Sequence, residues 1–404
     1  MENRFDQCAE SLKRSEGELN DKMKKIFFCV AGLALLAALG VSGWMIHPSG
    51  KESVSTETGP RPLTLEEKTD KVVSQMTASQ KIGQLMMIGI GGPELDADAR
   101  YMLTEFPNGN VILFDRNMKK PEQVKKLNDD ITTTVIQQTG LKPFIAVDQE
   151  GGAVMRMSDY LPAMPSAETL GQGTPDGAKS WAVTTGQALT DLGFNLNFAP
   201  VVDLNAAYHR SYGKTPEQVI PYAEAVIQGY DKAGIKSCLK HFPGIGKVKT
   251  DPHMDGDVVD ISRAALDRED GKPYIELIKK TNPDTTFVMV SNVTFPQLDA
   301  ANPACISPAV MTNILRKDYG YKGLIFTDDM EMGAMAKHYS FSEMGVKAIQ
   351  AGADIILVCH DYGHEQEVFN GLLKAYRDGT LPKNMIDFKV RKIVKVKLQL
   401  ADEN

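Results

Sequence analysis

Three segments of this chain set acids and bases where they can do chemistry. In LKHFPGIGKVKTDPHMD, residues 239–255, Lys240 and His241 close an apolar run and Pro243-Gly244-Ile245-Gly246 follows. Proline and glycine there allow a sharp, mobile turn. Asp251 and His253 come next on the same loop. A carboxylate two residues from an imidazole can orient the ring and raise its basicity, which suits a general acid/base. The plainer reading is a solvated surface pair. In LIFTDDMEMG, residues 324–333, an apolar run stops abruptly at Asp328-Asp329. Two adjacent acids are costly unless hydrogen bonds or positive charge hold one of them. Asp328 then has the placement of a nucleophile, while Asp329 shapes its surroundings or N-caps the following helix. In IAVDQEGGAVMRM, residues 145–157, a run ends in Asp148 and leads through Gly151-Gly152 to Arg156. Such a carboxylate can take two sugar hydroxyls and the arginine another edge; alternatively the glycines only make a turn and Arg156 answers Glu150.

Something must bring these segments together. After Thr64 the chain alternates short apolar runs with amphipathic stretches. The runs are Ile82–Ile90, Asn110–Phe114, Phe144–Val147, Phe194–Val202, Ile235–His241, Thr286–Ser291, Gly323–Thr327 and Asp354–Cys359. They lack strict alternation, as strands buried on both faces of a parallel sheet do. Helical patterns lie between them, including Asp176–Leu192, Pro216–Ala233, Arg263–Thr281, Ser307–Tyr319, Ser342–Ala351 and Glu365–Asp378. Glycine follows several, as in Leu192-Gly193 and Ala233-Gly234. An open doubly wound sheet fits this alternation as well as a (β/α)8 barrel does. Asp148, Lys240-His241, Asp328 and His360 all fall at carboxyl ends of different runs, and only a barrel gathers all such ends on one face. The expected fold is therefore an α/β (β/α)8 TIM barrel as a single catalytic domain, residues 64–404, with Leu381–Asn404 as a closing helix.

Composition narrows the class. Hydrophobic residues make up 42% of the 404, enough for one large core, and the formal charge of −7 argues against a nucleic-acid partner. The segment Ile26–Ile46 carries no charge and follows Lys22, Lys24 and Lys25. Its length suits a bilayer span of roughly 20 residues, with the lysines inside. The expected order is a leader over 1–25, a transmembrane signal anchor or signal peptide over 26–46, and a flexible linker over 47–63. Cys238 and Cys359 read as small hydrophobes in apolar runs. No metal or cofactor is expected. His360 and His364 are spaced four apart but read as strand exit and loop, His338 as a surface residue, and the methionines of 330–335 as packing.

Together the three segments resemble glycoside hydrolase family 3, in particular its single-domain β-N-acetylglucosaminidase (NagZ-type) branch, over roughly residues 66–400. The pattern K-H-F-P-G-x-G followed by D-x-H carries the resemblance to that branch, and V-D-Q-E-G-G and T-D-D-M-E-M to the wider family. Supporting matches are Phe198–Asp203, Phe295–Pro308 and Ala351–Asp354. The resemblance implies a retaining glycosidase with Asp328 as nucleophile and His253, oriented by Asp251, as acid/base. It implies Asp148, Arg156, Arg210, Lys240 and His241 as sugar-binding residues. The chain departs from the family's pattern at Ile245, Ala153 and Ser291-Asn292, where His, Arg and Ala-His are usual. The expected substrate is terminal β-linked N-acetylglucosamine on peptidoglycan fragments or related oligosaccharides, handled outside the bacterial cytoplasmic membrane. A β-glucosidase of the same family and a non-catalytic glycan-binding envelope protein are the alternatives.

Overall fold

The computed structural model describes residues 61–248, 257–332 and 339–402. Asp251, His253, His338 and the apolar segment Ile26–Ile46 lie outside the described residues. Among the described residues no helix is long and apolar enough to cross a membrane.

From Pro62 onward the chain forms one unit. Its strands are β1 Met86–Ile88, β2 Asn110–Ile112, β3 Phe144–Val147, β4 Leu196–Asn197, β5 Lys236–Phe242, β6 Thr286–Val290, β7 Thr294–Phe295, β8 Asp299–Pro303, β9 Ile325–Asp329 and β10 Ile355–Val358. Eight of them close a barrel in the order β1-β10-β9-β6-β5-β4-β3-β2, and every adjacent pair in it is parallel. The TIM barrel expected from the sequence is the fold. The remaining two, β7 and β8, make an antiparallel hairpin inserted after β6.

Local chemistry sets the helix limits. Thr64 and Thr77 start the helices Leu65–Gln75 and Ala78–Gln84 with capping boxes closed by Glu67 and Gln80. Proline opens Pro121–Thr139, Pro175–Asp191 and Pro216–Lys232, where its missing N–H costs no helical bond. Gly193 and Gly234 leave two of these helices with φ of 90° and 74°, a backbone that favours glycine.

Some expected elements differ. The run Ile82–Ile90 begins as helix, because the capped helix Ala78–Gln84 carries its last turn to Gln84 before β1 starts at Met86. The stretch Arg263–Thr281 is two helices, Arg263–Arg268 and Lys272–Lys280. Between them Glu269 leaves helical geometry and Gly271 lies against Leu266 and Tyr319, where a Cβ would fall 2.3 Å from the tyrosine hydroxyl.

Phe144, Phe198, Phe287 and Phe326 stack edge-on or tilted inside the barrel, with centroids 5.5–6.5 Å apart. Phe198 also lines the cavity described below, so the aromatic core reaches the site directly. The closing helix Lys383–Asp402 is tied to the barrel through Asp354, whose carboxylate meets Lys392 at 2.7 Å and Arg316 at 2.5 Å. Burial alone would raise that carboxyl, but Lys392, Arg316 and Lys389 hold it well below the usual range.

Candidate active site

A cavity of about 460 Å³ opens where the carboxyl ends of the strands converge. That is the face on which barrel enzymes build their sites. It gathers Asp148, Arg156, Arg210, Lys240, His241 and Asp328, every described residue singled out from the sequence as catalytic or sugar-binding. A larger cavity of about 800 Å³ lies at the opposite ends of the strands, lined by residues such as Pro143, Asn195, Ile235 and Thr285, and holds none of them.

Lys240 organises one wall. It sits on β5, 3% exposed, with Nζ 2.6 Å from Asp148 Oδ1 and 2.7 Å from Glu150 Oε1. Arg210 grips Glu150 through both carboxylate oxygens, each at 2.8 Å. Burial by itself would raise the Glu150 carboxyl, yet Lys240 and Arg210 outweigh it and hold Glu150 well below the usual range. The same contest leaves the Lys240 ammonium raised: burial opposes it, and Asp148 and Glu150 more than compensate.

Two residues of this wall were not singled out as site residues. Glu150 is not the partner of Arg156, as one reading of that segment has it, but of Arg210 and Lys240. Arg156 instead pairs with Asp115 at 2.9 Å and approaches Asp148 at 3.9 Å. Asp203, fully buried, accepts from the His241 ring at 2.8 Å and from the backbone N–H groups of His241 and Ile245. The other ring nitrogen, His241 Nε2, lies 3.4 Å from Arg210 Nη2. The Pro243–Gly246 turn packs so tightly on Leu204 that a Cβ at Gly246 would meet its carbonyl oxygen at 1.6 Å. Asp at the end of Phe198–Asp203 was the available signal, since it too follows an apolar run.

Asp328 and Asp329 finish β9. Asp328 Oδ1 accepts the backbone N–H of Asp329 at 2.9 Å. Burial raises its carboxyl above the usual value, and His241, that N–H and Lys240 oppose the rise only in part. Asp329 is held by His360 Nε2 at 2.9 Å and by the N–H of Glu331 at 3.1 Å. Burial raises its carboxyl as well, against the pull of His360. Asn292, one of the departures, donates to the Asp329 carbonyl at 2.7 Å and so steadies this turn. Ile245 and Ala153 line the cavity, and Ser291, the fourth departing position, is buried beside Asn292.

The histidines after β10 are more engaged than expected. His364 is in the helix Tyr362–Asp378 rather than on a loop, stacked on Phe341 and 2.7 Å from Glu331. Among the described residues no cluster of three His, Cys, Asp or Glu side chains is placed to hold a metal ion. Cys238, Cys305 and Cys359 are buried, and burial pushes their thiols up.

Behind Glu331 lies Glu365, whose carboxyl burial and then repulsion from Glu331 push up to about 10. A carboxyl raised in the folded state above its unfolded value of 4.5 costs stability progressively as pH rises between the two. Glu365→Gln is therefore expected to raise stability at pH 7 by about 1–3 kcal/mol, with the gain fading toward pH 4. Thermal melts of both proteins at the two pH values check this; a loss at pH 7 would contradict it.

The profile of the glycosyl hydrolase family 3 N-terminal domain matches residues 77–396. The chain belongs to glycoside hydrolase family 3. Among its relatives is the β-hexosaminidase of Tolumonas auensis, 34% identical over 297 residues, which span 71% of this chain and 86% of that protein. A family 3 β-N-acetylglucosaminidase from Paenibacillus sp. superposes with a TM-score of 0.78 at 35% identity, covering 81% of this chain. This chain spans 64% of that Paenibacillus chain. The β-N-acetylhexosaminidase of Beutenbergia cavernae superposes with a TM-score of 0.74 at 27% identity, over 80% of this chain and 99% of that one. As a family 3 hydrolase, the chain presents its cluster of paired charges and its half-buried Asp328 on the face where barrel enzymes build their sites.

Proposed function

We propose that this β-N-acetylhexosaminidase is a retaining exo-enzyme that removes terminal β-linked N-acetylglucosamine through a covalent intermediate on Asp328. The supporting observation is the position of Asp328 at the end of β9, with no cation within ion-pair distance among the described residues, whereas its neighbour Asp329 is held by His360. Asp148 and Glu150 are neutralised by Lys240 and Arg210, so they suit hydroxyl binding rather than attack. Asp328 spends one oxygen on the Asp329 N–H and keeps the other for carbon.

In the first step an Asp328 oxygen attacks the anomeric carbon as the bond to the leaving oxygen breaks. A proton from the acid/base goes to that oxygen. In the second, water attacks the same carbon, gives its proton to the base, and Asp328 departs as carboxylate. The resemblance assigns the acid/base to His253 with Asp251. An imidazole titrates near pH 6.5, close to the working range of such a group. Attack requires ionised Asp328, whose carboxyl is raised by burial. The acid limb of kcat/KM is therefore expected above the ordinary aspartate value of 3.8, activity falling as pH drops through the raised pKa. A pH profile with full activity at pH 4 would contradict it.

Peptidoglycan fragments or related oligosaccharides are the proposed substrates, met outside the cytoplasmic membrane if residues 26–46 act as an anchor or export signal. The deciding assay compares p-nitrophenyl β-N-acetylglucosaminide with the β-glucoside. Turnover of the first alone supports this reading; equal turnover of both points to a broader hexosidase. Sugar binding without turnover would leave a glycan-binding protein.

A further inference from the structure

The wall across from β4 and β5 has a different chemistry. It is built by the turn Asp115–Asn117 after β2 and by His360 after β10, which lies four strands from β4 around the barrel. Arg116 fixes it. Its Nε donates to the Ile90 carbonyl at 2.9 Å and its Nη2 to the Cys359 carbonyl at 2.5 Å. Gly89 leaves the room, since a Cβ there would fall 2.7 Å from Arg116 Nη2. The third contact runs from Arg116 Nη1 to His360 Nδ1 at 3.0 Å. A guanidinium can only donate, so in this contact Nδ1 takes the accepting role and Nε2 carries an N–H. That N–H meets Asp329 Oδ2 at 2.9 Å.

Both ring nitrogens of His360 are thereby occupied by protein, yet the side chain is 48% exposed and lines the cavity. One side of the ring leans on Phe114, centroids 4.9 Å apart. The accessible remainder is carbon edge and ring face, a small flat surface with no unmet polar demand. A pyranose offers a matching face of C–H groups, and covering one with the other removes apolar area from water.

Exposure tells which ring would lie there. It rises from Lys240 at 3%, Glu150 at 5% and His241 at 8% to Arg156 at 20% and His360 at 48%. The sugar held by the deep cluster and attacked by Asp328 fills the bottom. The departing group must point to the rim.

We propose that His360, backed by Phe114 and set by Arg116, is the stacking platform for the first sugar ring of the leaving group. The proposal rests on the glycosidase reading above for which ring lies deep. It makes the enzyme selective for oligosaccharides over glycosides with small leaving groups.

The test compares N,N′-diacetylchitobiose with methyl β-N-acetylglucosaminide in the full-length protein. His360→Ala is expected to lower the disaccharide-to-methyl ratio of kcat/KM about tenfold, mainly through KM, a loss within the range of one aromatic contact. His360→Phe keeps the ring and is expected to hold the ratio within about threefold of the parent protein. The ratio cancels any general damage passed through Asp329. If both substrates slow alike and the ratio stands, His360 supports Asp329 only and the platform is wrong. Titration of diacetylchitobiose against Asp328→Asn, with and without His360→Ala, makes the same comparison without turnover. Weaker binding in the double variant supports the platform even if the assigned activity fails, and equal binding overturns it.

Discussion

Asp328→Asn is expected to lower kcat on the aryl β-N-acetylglucosaminide by about a thousandfold or more, with KM changed by less than about fivefold. The amide matches the carboxylate in shape and still accepts the Asp329 N–H that now fixes Oδ1. It cannot form the glycosyl ester, so the loss belongs to chemistry and not to binding. Stability gives the control. The Asp328 carboxyl is raised by burial, so at neutral pH its charge costs folding free energy that the neutral amide does not. The variant should melt at the same temperature or higher. A large fall in melting temperature together with kcat would mean that Asp328 is structural.

Lys240→Met should damage both stability and activity. The ammonium lies between Asp148 at 2.6 Å and Glu150 at 2.7 Å and is almost entirely shielded from water. Methionine fills much of the volume but strands a charge: Glu150 keeps Arg210, whereas Asp148 keeps only Arg156, at 3.9 Å. Removing one partner of a buried pair typically costs about 3–5 kcal/mol. The same loss should lower kcat/KM at least about a hundredfold, because the hydroxyl-binding array loses its central donor. Adding Asp148→Asn removes the stranded charge. The double variant is expected to regain stability while remaining inactive, as a double-mutant cycle of melting and kinetics would show. If Lys240→Met melts like the parent protein, the ion-pair account of this wall is wrong.

The barrel was legible because its buried strands read as unbroken apolar runs that end in acids. Asp148, Lys240, His241 and Asp328 were found that way, and the cavity holds all four. What stayed hidden was pairing. Glu150 stands six residues from Arg156 in the chain, which made that pair the natural guess. Its real partner, Arg210, is 60 residues away and is brought in by the loop after β4. Asp203 likewise followed an apolar run, but nothing in sequence shows that its oxygens meet His241 and Ile245. The β7–β8 hairpin escaped because its strands are short and β8, Asp299–Pro303, is polar and partly exposed, with none of the alternation that marks a half-buried strand. His360 and His364 stand four apart in the chain, a spacing that by itself shows neither ring's partner. The structure gives the two rings different jobs, one against Asp329 and Arg116, the other against Glu331 and Phe341.

The central claim is that Asp328 becomes covalently bonded to the sugar. A fluorinated N-acetylglucosaminyl substrate that forms the intermediate faster than it hydrolyses should trap it. Proteolysis and mass spectrometry should then find one added sugar residue on the peptide carrying Asp328, and none in Asp328→Asn. A label on another carboxylate, or inverted anomeric configuration in the first-formed product with no label at all, would contradict the account.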